Sequence, residues 1–166
     1  MRLFVAIPLS EEMRDELSAF QNTMRGFGLK GNYTVPENLH LTLAFIGEYD
    51  DFNEVKEVLE SVSFNPFKMK LDGLGHFKSI VWAGVKPEKK IRKLAYDVRN
   101  VLHTAGIHFD TKSFSAHITL LRKPKNRKSR IPEEVFELVP ETEMTVDHFS
   151  LFSSTRGKNS MIYTEL

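Results

Sequence analysis

The chain of 166 residues contains no cysteine, which removes disulfides, thiolate nucleophiles and thiolate metal sites together. That is compatible with a reducing compartment, and a cytoplasmic location is expected. Long apolar runs are also missing: nothing approaches the roughly 20 residues that span a bilayer. The apolar stretch Leu3–Ile7 meets Pro8 at once and leads into Glu11, Glu12, Asp15 and Glu16, so it does not read as a signal peptide and no membrane partner is expected. The sequence has neither a Gly-x-Ser-x-Gly nor a His-Glu-x-x-His motif. Gly73-Leu74-Gly75 lacks the rest of a dinucleotide fingerprint and reads as a turn. His103 and His108 do not share a helical face and suggest no metal site; neither cofactor nor metal is expected. An overall excess of one charge is absent too, the net value being +1.

That balance conceals an asymmetry. Residues 1–83 hold 8 Lys and Arg against 12 Asp and Glu, while residues 84–166 hold 15 against 10. The densest run is Arg122–Arg130, in which six of nine residues are basic. By itself it reads as a solvated loop or as an electrostatic footprint for phosphates. With 41% apolar residues and little net charge the chain is too hydrophobic for disorder. Its length suits a single unit, or two small packed lobes with a real core.

Short strands and amphipathic helices alternate. Arg2–Ile7 reads as a strand, and Ser10 as the N-cap of a helix whose apolar face is Met13, Leu17, Phe20 and Met24. Asn38–Ile46 reads as a strand, and Asp51 with Glu54 as the start of a second helix. Lys68–Leu71 and Ile80–Val85 are expected strands around a turn at Asp72–Gly75. A third helix after Pro87 carries Ile91, Leu94, Ala95, Val98, Val101 and Leu102, and stops at Gly106. Further strands are expected at Ala116–Leu121, Met144–Ser153 and Ser160–Thr164, with a polar loop at Lys123–Pro132 and a hairpin turn at Arg156–Asn159. Short strands outnumber helices, which predicts an α+β fold with antiparallel sheets.

One repeat stands out. His40-Leu41-Thr42-Leu43 recurs as His117-Ile118-Thr119-Leu120, 77 residues later and at a similar place in the other half. On a strand, residues i and i+2 share a face. In the first copy Leu41, Leu43 and Phe45 therefore turn towards a core while His40, Thr42 and Ala44 share the other face. In the second, Ile118 and Leu120 oppose His117 and Thr119. Each strand presents an imidazole with a hydroxyl about 7 Å along. Two lobes related by a pseudo-twofold would bring the imidazoles to face each other across a cleft. Displacement at a phosphodiester needs a base for the attacking oxygen and an acid for the leaving one, on opposite sides of phosphorus. Two histidines can divide that work, and two threonine hydroxyls can donate to the phosphate oxygens. His76, His103, His108 and His148 have no repeated context and read as structural or exposed. Phe4 and Trp82 read as core, with a base-stacking surface as the alternative.

With these motifs the chain resembles the two-histidine (2H) phosphoesterases, and within them the RNA 2′,3′-cyclic phosphodiesterases, also called the 2′-5′ RNA ligase family. RLFVAIPL, VPENLHLTLAFIGE, IVWAGV, SAHITLLR and VDHFSLFSS carry the resemblance along nearly the whole length. It implies two pseudo-twofold-related lobes in residues 1–166, each an antiparallel sheet with helices on its outer face, around a central cleft. It implies hydrolysis of an RNA terminal 2′,3′-cyclic phosphate, or of a small cyclic nucleotide, to a 2′-phosphate. His40 would be the proton donor and His117 the proton acceptor, with Thr42, Thr119 and Arg122 binding phosphate. The reverse 2′-5′ ligation would use the same groups. The basic run beginning at Arg122, with Lys125, Arg127 and Lys128, then becomes a track for RNA. Ala116 stands where relatives often have proline, and Lys78 where they tend to have arginine. The alternative is a nucleotide- or RNA-binding module on the same scaffold, although such a module would need neither acid nor base. Nothing requires more than a monomer.

Overall fold

The computed structural model describes residues 1–77, 79–125 and 131–166; Lys78 and, in the basic run, Arg127, Lys128 and Arg130 lie outside them. In chain order the elements are β1 (Arg2–Pro8), α1 (Glu11–Gly26), β2 (Asn32–Tyr33), β3 (His40–Glu48), α2 (Phe52–Leu59), β4 (Phe67–Phe77), β5 (Ile80–Lys86), α3 (Glu88–Thr104), β6 (His117–Arg122), α4 (Glu133–Glu137), β7 (Glu143–Val146), β8 (Ser150–Arg156) and β9 (Met161–Glu165). A single 3₁₀ turn, Pro36–Asn38, precedes β3.

Two antiparallel sheets result, ordered β3-β1-β8-β9 and β2-β6-β5-β4-β7. In each, the histidine strand pairs with the strand that precedes it across a helix: β1–α1–β3 in the first sheet, β5–α3–β6 in the second. The repeat seen in the sequence is therefore a repeated strand–helix–strand unit. β3 and β6 approach each other where the sheets meet, and α3 packs on both β3 and β5. Buried apolar residues of the two sheets and three long helices form one continuous cluster, from Leu3 and Leu41 to Ile91 and Ile118.

The helix signals in the sequence act as expected. Ser10 accepts a hydrogen bond from the Met13 amide, and Asp51 accepts from the amides of Asn53 and Glu54. Gly106, at φ +74°, ends α3. Four expectations are corrected. Asp72–Gly75 is not a turn: β4 runs on to Phe77, with its pairing to β5 shifted between Leu71 and Leu74, and Gly73 at φ +79° fits an irregularity within the strand. Met144–Ser153 is not one strand but the ends of two, β7 in one sheet and β8 in the other, because the polar stretch at Asp147 and His148 carries the chain between sheets. Asn38 belongs to the 3₁₀ turn, so β3 starts at His40. Finally, β3 carries register shifts against β1 that break strict alternation: Ala44 joins Leu41 and Leu43 in the core, and Phe45 is only half-buried.

One buried polar side chain ties this architecture together. Gln21, 1% exposed on α1, donates from Nε2 to the carbonyls of Thr34 (2.8 Å) and Leu120 (3.0 Å). It thus fastens the first helix both to the segment after β2 and to the second histidine strand. Gln21→Leu removes both bonds and leaves acceptor groups beside an apolar side chain, which costs about 1–3 kcal/mol. The expected result is a lower urea midpoint at unchanged slope. Stability equal to that of the parent would show that the clamp contributes nothing.

Candidate active site

The two histidine strands line a cleft of about 800 Å³ that also takes in Thr42, Thr119 and Arg122. All five residues singled out in the sequence therefore meet at one cavity. None of the remaining histidines lines it; His148 is exposed, its Nδ1 2.6 Å from Asp147 Oδ1.

Both imidazoles are held in the same way. Nδ1 of His40 is 2.6 Å from the carbonyl of Asn38, and Nδ1 of His117 is 2.7 Å from the carbonyl of Ser115. A carbonyl only accepts, so Nδ1 carries the proton in each ring, and Nε2 is left to exchange protons. In the neutral ring His40 Nε2 accepts from Thr42 Oγ1 at 2.9 Å. The hydroxyl expected to bind phosphate is thus engaged with the imidazole two residues before it.

Aromatic rings flank each histidine. Phe4 and Tyr163 lie 5.0 and 5.3 Å from His40, while Phe77 and Trp82 lie 5.7 and 6.0 Å from His117, centre to centre. Phe4 is core, as expected. Trp82 is only half-buried; its indole lies against Gly75 on β4, where an added Cβ would sit 2.2 Å from the ring. Only glycine permits that approach.

Burial lowers both histidine pKa values below 6.5. For each, the backbone hydrogen bond opposes the shift and the positive charge of Arg122 adds to it; His117 pushes His40 further down. Arg122 therefore acts on both rings. Desolvation outweighs the carbonyl bonds, which favours the neutral form of both imidazoles.

Several functional side chains lay outside the sequence reading. Asn38 is 8% exposed, and its Nδ2 donates to the Met161 carbonyl at 2.8 Å, joining the turn before His40 to β9. The carbonyls of Asn38 and Ser115 gave no side-chain signal, since any residue at those positions supplies one. Arg25, Tyr33 and the β8–β9 hairpin also line the cleft, brought there by tertiary contacts. In the basic run Lys123 lines the cleft beside Arg122, whereas Lys125 does not.

Paired His-x-Thr strands from two antiparallel sheets, facing one cationic cleft, define a protein of the two-histidine class. The chain belongs to the 2′-5′ RNA ligase superfamily, whose model matches residues 11–158. It is 34% identical to the RNA 2′,3′-cyclic phosphodiesterase of Archaeoglobus fulgidus, over all of this chain and 98% of that one. Among solved structures it is similar to Escherichia coli LigT in its apo form, with a TM-score of 0.82 and 27% identity over 99% of this chain and 94% of that one. LigT in complex with 3′-AMP matches with a TM-score of 0.79 and 28% identity over the same shares.

The buried histidines make stability pH-dependent. Their pKa values are lower folded than unfolded, so between the folded values and 6.5 the unfolded chain binds more protons. This contribution to stability is complete above pH 6.5 and is lost as pH falls through the folded values. The urea midpoint is expected to drop on acidification below 6.5, and to drop less in a His40→Asn, His117→Asn double variant. Equal pH dependence in both proteins would contradict the assignment.

Proposed function

We propose that the chain hydrolyses the 2′,3′-cyclic phosphate at the 3′ end of RNA to a 2′-phosphomonoester, with His40 as general acid and His117 as general base. The observation that supports this most is the matched anchoring of the two imidazoles, which leaves two Nε2 atoms at one cleft with Arg122 acting on both. The names of the relatives support the substrate class.

In this reading the cyclic phosphate enters between the histidine strands. His117 Nε2 takes a proton from water, whose oxygen bonds to phosphorus. The bond from phosphorus to the 3′ oxygen breaks in line, and His40 Nε2–H gives its proton to that oxygen. The 2′ ester bond remains. Arg122, Thr119 and Thr42 stabilise the charge developing on the non-bridging oxygens. Thr42 has two roles to reconcile. When His40 becomes protonated its Nε2 turns from acceptor to donor, which releases the Thr42 hydroxyl hydrogen for phosphate. The same groups would run ligation of a cyclic phosphate to a 5′-hydroxyl in reverse. No step requires a metal ion.

The test is incubation of a 2′,3′-cyclic phosphate-terminated RNA with the protein in EDTA, with identification of the product. A 2′-monoester supports the reading; a 3′-monoester, loss of activity in EDTA, or tight binding without turnover overturns it. His40→Ala and His117→Ala are each expected to lower kcat by roughly 10²–10⁴. An aryl phosphodiester, whose nitrophenolate leaves without a proton, should restore turnover to His40→Ala and not to His117→Ala. The opposite rescue would reverse the roles.

The pH profile has a defined sign. The working form holds one protonated and one neutral imidazole, and both pKa values lie below 6.5 in the free site. The maximum of kcat/KM is expected on the acid side of 6.5. Bound phosphate favours the imidazolium, so the kcat maximum should lie at higher pH. A kcat/KM maximum above 7 would contradict the direction of the shifts.

A further inference from the structure

We propose that the cleft contains a second phosphate site, for the 5′-phosphate of the reacting nucleoside, between Arg25 and the β8–β9 hairpin bearing Arg156 and Lys158. The proposal rests on the function proposed above and makes an RNA chain, rather than a free cyclic mononucleotide, the preferred substrate.

Charge is the first observation. The described lining of the cleft includes Arg25, Arg122, Lys123, Arg156 and Lys158 and neither Asp nor Glu. Among the described residues none of these five cations forms an ion pair with a carboxylate. The whole chain carries only +1, so five uncompensated cations at one cavity are a local excess whose repulsion an anion relieves. A cyclic phosphodiester brings one negative charge, and Arg122 meets it. The next anionic group on an RNA end is the phosphate on the 5′ oxygen of the same ribose. A free cyclic mononucleotide has a hydroxyl there.

Pre-organisation is the second. The Arg25 guanidinium lies 4.2 Å from the centre of the Tyr33 ring, and its Nη1 donates to Asn22 Oδ1 at 2.6 Å. Tyr33 is itself held, its hydroxyl donating to the Leu29 carbonyl at 2.6 Å. The stacked guanidinium keeps N–H groups at its edge for the planar, two-pronged contact that suits phosphate. The wall carrying it is joined to the reacting end through the backbone. Asn32 pairs with Arg122 and Tyr33 with Leu121, and Gly31, at φ +152°, lies so close to β6 that an added Cβ would be 2.8 Å from the Arg122 carbonyl oxygen. The hairpin lines the same cleft, closed by Gly157 N–H to the Ser160 carbonyl and tied to the turn before His40 through Asn38 and Met161. Each wall of the second site is thus fastened to one of the strands carrying the first.

The experiment compares KM for a nucleoside 2′,3′-cyclic phosphate bearing either a 5′-hydroxyl or a 5′-phosphate. The 5′-phosphate is expected to lower KM about tenfold or more at low salt, with the advantage shrinking as salt rises. Arg25→Ala and, independently, the exposed pair Arg156→Ala/Lys158→Ala are expected to bring the ratio of the two KM values to within about threefold of one. Far-ultraviolet circular dichroism checks that Arg25→Ala is folded, and the hairpin variant provides a second arm if it is not. Equal KM values in the parent, or a ratio unchanged in the folded variants, overturns the second site. Hydrolysis of neither substrate overturns the proposed function instead. In that case calorimetry with a nucleoside 2′-phosphate and a nucleoside 2′,5′-bisphosphate decides the site: tighter binding of the bisphosphate, lost in the variants, upholds it, and equal binding overturns it.

Discussion

Each active-site imidazole donates its Nδ1–H to the backbone carbonyl two residues earlier, at 2.6 Å in His40 and 2.7 Å in His117, and the rest of the site depends on that bond. A half-buried imidazole without it would carry an unsatisfied donor and a freely exchanging tautomer. With it, Nε2 is directed to the cleft, and acid–base work is confined to one atom per ring. The bond requires the chain to turn just before it enters the strand. In the first copy the 3₁₀ turn Pro36–Asn38 supplies that geometry, and the Asn38 side chain secures the turn to β9. Among the described residues three polar side chains are buried, and two of them, Asn38 and Gln21, hold the segments that flank the site.

Burial and charge then set the resting state. Desolvation and Arg122 act together against protonation of either ring, and the two carbonyl bonds do not offset them. Both imidazoles accordingly favour the neutral form, while the rim of the cleft is cationic. In the mechanism proposed above, a phosphate entering that rim meets Arg122 and makes an imidazolium favourable next to it. That mechanism links substrate binding to the uptake of the proton that His40 delivers, and the Thr42 hydroxyl, bonded to His40 Nε2, turns over with it.

Much of this was legible in the sequence, for identifiable reasons. Ser10, Asp51 and Gly106 are local signals, and they cap or stop helices as read. The His-x-Thr repeat is visible because strand periodicity of two places histidine and threonine on one face, and both copies line the one cleft. The misreadings arose where tertiary pairing overrode local preference. Asp72-Gly73 has turn chemistry but is absorbed into β4, because pairing with β5 continues past it to Phe77 and Ile80. Met144–Ser153 has continuous strand character, yet its two ends belong to different sheets. The cationic wall at Arg25 was invisible for another reason. On α1 it looks like an ordinary solvated helix residue, and only the pairing of Asn32 and Tyr33 with β6 brings it to the cleft.

The repeat supplies two similar histidines, but the proposed acid and base must differ, so the asymmetry has to come from their surroundings. A single strand could not provide the pair, because residues i and i+2 approach a ligand from the same side. β3 and β6 belong to separate sheets and approach each other at one cleft, so that in the proposed mechanism their imidazoles address opposite faces of one phosphorus. The neighbour that bears on their roles lies at His40 Nε2. His40 Nε2 has the Thr42 hydroxyl at 2.9 Å, a group that donates to the neutral ring and equally accepts from the protonated one. It therefore remains a partner after the ring gains a proton, which suits a residue that must hold a proton until the leaving oxygen develops charge. Aromatic rings flank both imidazoles and burial favours the neutral form of each, so the rings do not separate the two roles. In the mechanism proposed above it is the Thr42 hydroxyl, bonded to His40 Nε2, that suits His40 to hold the proton, leaving the neutral His117 as base.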